Sequence, residues 1–308
     1  MSQKPGISKM GIRLSLMTAL GLLLLLAFIG LKFKAVNPDL QNRARNMVKK
    51  QETLSRMRIN LIRSVDIEKG AVMADTDELS RSLAEESMQA ADLVERDRHE
   101  LSLLIDHDRV DKEMATLREF DGCWTELRKI DKVLLDFAVE NSNIKAAILS
   151  FTQGSQALGR FKQNLTELMS RYLHRPQYCQ ILKLASDALT SAAEVHYLHA
   201  PHISAANDKE MDRIEADIKQ SDEVIRTSLM EMERFLSEGD RPLLQQASDA
   251  YKDFQGITAG VLQLSRQNTN IKSFELSLGR KRKVTAQCDE ILSNLEGIVR
   301  SRAFEATR

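Results

Sequence analysis

Residues Leu14–Leu31, LSLMTALGLLLLLAFIGL, form a run of eighteen positions without a charge, five of them consecutive leucines. At about 1.5 Å of rise per residue this run makes a helix of roughly 27 Å, close to the thickness of a bilayer's hydrocarbon core. A buried helix of that length normally keeps a polar face, and this one has none. The run therefore reads as a single transmembrane anchor carried by Leu14, Leu22, Leu23, Leu24, Leu25, Leu26, Phe28 and Leu31, behind a cytoplasmic tail of residues 1–13. Lys4, Lys9 and Arg13 precede it, as in a secretory signal peptide. However, the run exceeds a signal-peptide core of roughly 7–15 residues. No clean small-x-small site follows it either, since Ala27-Phe28-Ile29 and Phe33-Lys34-Ala35 are poor matches. An uncleaved span is the expectation. Lys32, Lys34, Arg43 and Arg45 follow the span and three basic residues precede it, so flanking charge gives no clear orientation.

The rest of the chain is dense in charge. Its 308 residues carry 44 basic and 44 acidic side chains, and this balance lacks the basic excess of a nucleic-acid binder. Only 5% of residues are aromatic, with 13 Gly and 5 Pro, too few sheet and turn formers for a β fold. The abundance of Leu, Ala, Glu, Lys and Arg suits long helices. Cys123, Cys179 and Cys288 are odd in number and widely spaced, so they define no disulfide framework or zinc spacing, and each is expected as a small core residue.

Periodicity supports an all-α reading. Leu40, Met47, Leu54 and Leu61 step by seven, with Ala44, Val65 and Val72 in the second seam position. Asp75 with Glu78 has the spacing of a capping box and predicts a helix start. Asp108 is expected to cap a third helix, whose stripe runs through Leu117, Phe120, Trp124, Leu127 and Leu134. The cluster Glu140-Asn141-Ser142-Asn143-Ile144-Lys145 predicts a turn, because Asn tolerates left-handed backbone. A fourth helix follows with Ile148, Phe151, Leu158, Leu165 and Tyr172 inward, ending before Pro176.

The second half repeats the first. Gln267-Asn268-Thr269-Asn270-Ile271-Lys272 stands 127 residues after the first cluster, and the same shift pairs Trp124 with Tyr251, Leu127 with Phe254 and Ile130 with Ile257. Asn207 with Glu210 mirrors the Asp75 cap, and Gly239, Asp240 and Pro242 mark a turn. A period this long is one whole four-helix unit. Eight helices are predicted, at 38–74, 78–106, 109–140, 144–173, 177–200, 208–237, 241–267 and 271–300. They would be arranged as two tandem antiparallel four-helix bundles, 38–174 and 177–300, with a tail of 301–308.

The segment Ile59-Asn60-Leu61-Ile62-Arg63-Ser64-Val65, then Glu68 and Asp75-Thr76-Asp77-Glu78, resembles the start of the four-helix-bundle sensory module of methyl-accepting chemotaxis proteins; the helix with Phe120 and Trp124 resembles its third helix. The resemblance implies two tandem modules over residues 38 to about 300, outside the cytoplasmic membrane and working as a homodimer. Such a module senses a small molecule or a binding protein. After Val299 only Arg300–Arg308 follow, with no second span, relay domain or signalling hairpin, so signalling would pass through a membrane partner.

Three constellations have a chemical reading beside a structural one. His196, His199 and His202 stand three apart, and His196 with His199 have the spacing of a shared metal site on a helix. Pro201 is expected to end that helix and leave His202 in the turn; ordinary helix-end histidines are the alternative. Glu68 falls in a seam position, where a carboxylate is costly unless paired. It either meets a cationic ligand, with Arg63 as the second candidate contact, or pairs across the bundle. Arg280-Lys281-Arg282-Lys283 ring their helix and make no single face. No nucleophile motif or phosphate loop occurs, and the reading contains no enzyme and no cofactor. The expected function is a membrane-anchored, extracytoplasmic ligand-binding module of the chemoreceptor type. A membrane-tethered helical scaffold and a metal-binding bundle are the alternatives.

Overall fold

The computed structural model describes the backbone of residues 9–306 and the side chains of residues 41–302. Among the described residues the chain is helical, with no strand. The helices are α1 (Lys9–Met73), α2 (Asp77–Asp108), α3 (Asp111–Glu140), α4 (Ser142–Leu149), α5 (Ser155–Tyr172), α6 (Tyr178–Ser204), α7 (Asp208–Glu233), α8 (Arg241–Gln267), α9 (Thr269–Leu276) and α10 (Arg282–Ala306). The all-α expectation holds. Among the described residues no helix is long and apolar enough to cross a membrane. The Leu14–Leu31 run falls where the helical backbone is described but the side chains are not, so the expected anchor lies outside the described residues.

Local chemistry sets the ends. Thr76, not Asp75, caps α2: its Oγ1 accepts the Leu79 amide at 3.2 Å. Asn207 caps α7 as expected, its Oδ1 accepting the Glu210 amide at 3.0 Å. The α2–α3 turn is made by Arg109 at φ 49°, and Asp108 is held instead by Lys50 Nζ at 2.7 Å. Pro201 lies inside α6, which continues to Ser204. His202 therefore sits in the last helical turn, where its ring hydrogen bonds hold it in the core.

The repeat appears as duplicated irregularities. Asn141 (φ 52°, ψ 36°) and Asn268 (φ 55°, ψ 35°) both take the left-handed conformation and interrupt otherwise continuous rods. Nine residues further on in each copy the helix widens into a π-turn, at Ser150–Gly154 and again at Ser277–Lys281. A π-turn inserts an extra residue and rotates the face upstream of it. For this reason Ile148 and Phe151 are 55% and 70% exposed rather than inward, while Ser150, Gly154, Ala157 and Phe161 take the buried positions.

The two breaks lie side by side and complete each other's hydrogen bonding. The Ser142 amide donates to Thr269 Oγ1 at 3.0 Å and the Thr269 amide to Ser142 Oγ at 3.1 Å. The Asn143 amide donates to Asn270 Oδ1 at 3.1 Å and the Asn270 amide to Asn143 Oδ1 at 3.2 Å. The side-chain amides cross again, Asn143 Nδ2 to Asn268 Oδ1 at 2.8 Å and Asn270 Nδ2 to Asn141 Oδ1 at 2.9 Å. Lys145 and Lys272 reach back to the last carbonyls of the preceding helices, Glu140 and Gln267, at 2.7 and 2.8 Å. The turn reading of the doubled motif is correct, and its second function is to join the two copies.

Contacts divide the chain into two compact units, each assembled from separate segments: Met1–Leu61, Asp92–Gly122 and Cys288–Arg308 in one, Ile62–Ala91 and Cys123–Gln287 in the other. In the first, ion pairs link α1 to α2 (Arg56–Asp97, 3.1 Å), α2 to α3 (Arg98–Asp121, 2.9 Å), α3 to α10 (Arg302–Glu113, 2.8 Å) and α10 to α1 (Arg58–Asp289, 2.8 Å). In the second, α5 packs on α6 and α8, α6 on α7, and α4 on α8, around Phe161, Leu165, Tyr172, Ile181, Ile225 and Phe254. A second core in this unit joins Ala71, Ala84, Leu134 and Leu135 with Leu276 of α9. The packing does not follow the expected division at 174–177: the fourth helix of each repeat packs with the helices of the other repeat. A sequence repeat does not specify which copy of a helix fills which core. Cys123 and Cys288 lie in the core as expected but are disulfide-bonded, which their spacing did not suggest, and Cys179 is free and exposed instead of buried.

If the crossed bonds at the two breaks hold the copies together, Asn143→Ala and Asn270→Ala are each expected to cost about 1–3 kcal/mol, because each strips a partner from a half-buried amide. The double variant should cost less than the sum, since both remove parts of one network. Urea unfolding of the four proteins measures this, and strict additivity would contradict it.

Candidate ligand site and buried polar clusters

The three histidines do not converge on a common point. His199 is buried, with Nδ1 2.9 Å from Ser150 Oγ and Nε2 3.1 Å from Thr258 Oγ1. His196 Nε2 lies 3.2 Å from the Ser150 carbonyl. His202 is paired elsewhere, with Nδ1 2.8 Å from Ser265 Oγ and Nε2 2.9 Å from Glu215 Oε1. The rings of His196 and His199 meet edge to face at 5.5 Å, and Phe254 stacks on His199 at 5.9 Å. Among the described residues no group of three metal-ligating side chains has a shared centre. The metal reading of His196 and His199 is therefore replaced by a hydroxyl–imidazole network inside the core, in which the π-turn supplies Ser150.

Burial fixes the charge of this network. It pushes the His199 imidazole down to about 4, with His196 and His202 adding to the effect, so the ring is neutral near pH 7. Burial also lowers His202, against the pull of Glu215. Glu215 is itself held below its usual range, chiefly by the Arg266 guanidinium at 2.7 Å.

Beside the network a pocket of about 320 Å³ opens between α7 and α8, with Val195 of α6 also in its wall. Ile218, Phe254 and Leu262 give it an apolar wall, and Asp222, Tyr251, Gln255, Thr258 and Lys219 give it polar ones. Tyr251 and Gln255 both donate to Asp222 Oδ1, and Arg226 holds Oδ2 at 2.9 Å. Burial, then the bond to Asp222, raises the Tyr251 phenol above its ordinary range and keeps it a donor. Thr258 and Phe254 belong both to the pocket wall and to the His199 contacts, so the pocket borders the buried network directly. A larger groove of about 900 Å³ between α5 and α8 is more open, and its Arg160 and Asp253 pair with each other at 2.9 Å.

The other two sequence candidates separate. Glu68 is fully buried and lies 3.0 Å from Lys281 Nζ, which also meets Asp131 at 2.6 Å. Pairing across the helices was one of its two readings, and it is the one observed. Arg63 points outward and pairs with Glu86 at 2.9 Å, so it joins no site with Glu68. The residues missed from sequence were Ser150, Asp222, Tyr251 and Thr258, which carry no spacing signal of their own. The repeat alone pointed to two of them, since it places Tyr251 opposite Trp124 and Thr258 opposite Asp131. Comparison with protein-family models, curated proteins and solved structures finds no match for this chain.

The His199 shift gives a signed pH prediction. The unfolded ring titrates near 6.5 and the folded one near 4, so between these values the unfolded chain binds a proton that the folded chain does not. The stabilisation is complete above pH 6.5 and is lost as pH falls toward 4, by up to about 3 kcal/mol. Thermal melts from pH 7 downward should therefore fall more steeply for the natural chain than for His199→Gln. Parallel curves would show that this ring does not set the slope.

Proposed function

We propose that the chain is a membrane-anchored sensory module of the chemoreceptor type, built as two four-helix bundles with exchanged fourth helices, and that it binds a small molecule in the 320 Å³ pocket between α7 and α8. The polar pocket supports this reading most directly. A scaffold that only displays helical surface has no need of an opening between helices, lined by hydroxyl, amide and carboxylate groups beside an aromatic wall. The anchor rests on the Leu14–Leu31 run. The disulfide-bonded Cys123 and Cys288 support placement of the helical body in an oxidising, extracytoplasmic compartment. Signalling then passes through a membrane partner, and a homodimer is the working form.

A thermal-shift screen of the full chain in detergent with amino acids, organic acids and amines tests the binding reading. A ligand that occupies the pocket raises Tm by mass action. Ala259→Trp, which puts a large ring into the pocket wall, should abolish the shift without lowering the unliganded Tm by more than a few degrees. No shift across a broad library, or a shift unchanged by Ala259→Trp, would favour the scaffold reading.

The anchor has its own test. After separation of membranes the full chain should sediment with them and resist alkaline wash, and the chain lacking residues 1–31 should be soluble. An alkali-extractable full chain would remove the anchor from the reading.

A further inference from the structure

The two compact units each contain a lysine buried against two carboxylates, and the two clusters differ in charge balance. In one, Lys50 Nζ donates to Asp108 at 2.7 Å and to Glu113 at 2.6 Å, and Arg302 meets the other Glu113 oxygen at 2.8 Å. Two cations face two anions, and both lysine contacts are well-formed hydrogen bonds.

In the other, Lys281 stands between Glu68 and Asp131, and all three side chains are at least nine-tenths buried. No second cation pairs with either carboxylate among the described residues. The cluster therefore carries two negative charges and one positive. Its distances are short, but its angles are poor. Neither Glu68 oxygen, nor Asp131 Oδ1, nor Lys281 Nζ makes a hydrogen bond, and Thr285 Oγ1, one turn beyond Lys281 on the same helix, is also buried without a partner. An uncompensated charge in a protein interior costs several kcal/mol, and each bare polar atom adds to that.

We infer that the Glu68–Asp131–Lys281 cluster binds one small monovalent cation, with Glu68 and the Thr285 hydroxyl among its oxygen ligands. Hard cations take oxygen donors of this kind. The charge deficit is one unit, and the Lys281 ammonium disfavours a divalent ion by repulsion. A proton on Glu68 would supply the missing charge but leave its second oxygen and the Thr285 hydroxyl bare. A metal ion would take the Glu68 oxygens and the Thr285 hydroxyl as ligands together, and leave the Lys281 ammonium to the carboxylates. The Lys50 cluster already has its second cation in Arg302 and needs no ion.

The test uses the full chain in detergent at fixed pH and ionic strength, in sodium, potassium or N-methylglucamine chloride. A saturable rise in Tm of several degrees in sodium or potassium over N-methylglucamine is expected. Glu68→Gln, which keeps the shape and removes one charge, should lose that rise. Equilibrium dialysis with radioactive sodium and with thallium(I) gives a reading independent of how the variant folds: about one ion per natural chain is expected. Equal Tm in all three salts together with no bound ion overturns the inference. So does a Tm that rises on mild acidification and ignores the cation, which would assign the missing charge to a proton.

Discussion

The joint between the two repeats rests on the crossed hydrogen bonds between Ser142-Asn143 and Thr269-Asn270. A left-handed residue in a helical rod strands the amides and carbonyls of the turns on either side, and buried backbone groups do not go unpaired. Here the amides of Ser142, Asn143, Thr269 and Asn270 are each met by a side chain of the other break. Neither break is satisfied without its counterpart, so the repeat is a mutual requirement and not simply two copies in series. The same arrangement explains the exchange of fourth helices. The chain bends at Asn141 and Asn268, and beyond each bend it continues into the core of the other repeat.

The positions nine residues beyond the breaks show what the copies have kept and what they have changed. Ser150 and Ser277 open equivalent π-turns, and both are buried. The turns end in Gly154 in one copy and Lys281 in the other. Met73 and Ser204, and likewise Asp77 and Asp208, lie 131 residues apart, which makes His199 the counterpart of Glu68. Thr258 stands opposite Asp131 at the spacing of 127 seen in the breaks. One architectural position thus carries a charged cluster in one copy and a neutral imidazole between two hydroxyls in the other. A widened helical turn leaves room and unpaired backbone at the centre of the packing, and polar groups are tolerated there if they are paired. The neutral version meets that condition with ordinary hydrogen bonds; the charged version meets it with the ion pairs of Lys281 to Glu68 and Asp131.

Legibility from sequence followed the range of the interactions. Helix limits depend on local caps and periodicity, and five of the eight expected helices, the second, third, fifth, sixth and seventh, end within four residues of their observed limits; the fourth and eighth are each interrupted by a π-turn, and the first is continuous from Lys9. The repeat was legible because Asn-x-Asn-Ile-Lys is a rare string. Glu68 stood out as a charge in an apolar seam. What was not legible depends on distant segments. The π-turns look like unbroken helix in the residue pattern, so Ile148 and Phe151 were placed on the wrong face. Pro201 is a strong local stop signal, overridden by the ring bonds of His202 to Ser265 and Glu215. Disulfide bonding at Cys123 and Cys288 depends on geometry that wide spacing does not encode. The pocket residues Asp222 and Tyr251 sit 29 positions apart on different helices, and only packing brings them together.

The pocket and the breaks are mechanically connected through α8. Tyr251, Phe254, Gln255, Thr258, Ala259 and Leu262 of the pocket wall all lie on this one helix, which ends at Gln267 beside Asn268. An α-helix is stiff along its axis, so a displacement at Phe254 reaches Gln267 little diminished. At that end the displacement meets the crossed bonds. Losing even one of them leaves a buried amide bare, at about 1–3 kcal/mol. Shifts of α8 at this end are therefore opposed by the crossed bonds, whose partners lie on the first residues of α4 and α9. Because α8 also packs on α4, α5, α6 and α7, a shift of this helix would be felt in those contacts as well as at the joint with α9, whose Leu276 meets the core of Ala71, Ala84 and Leu134.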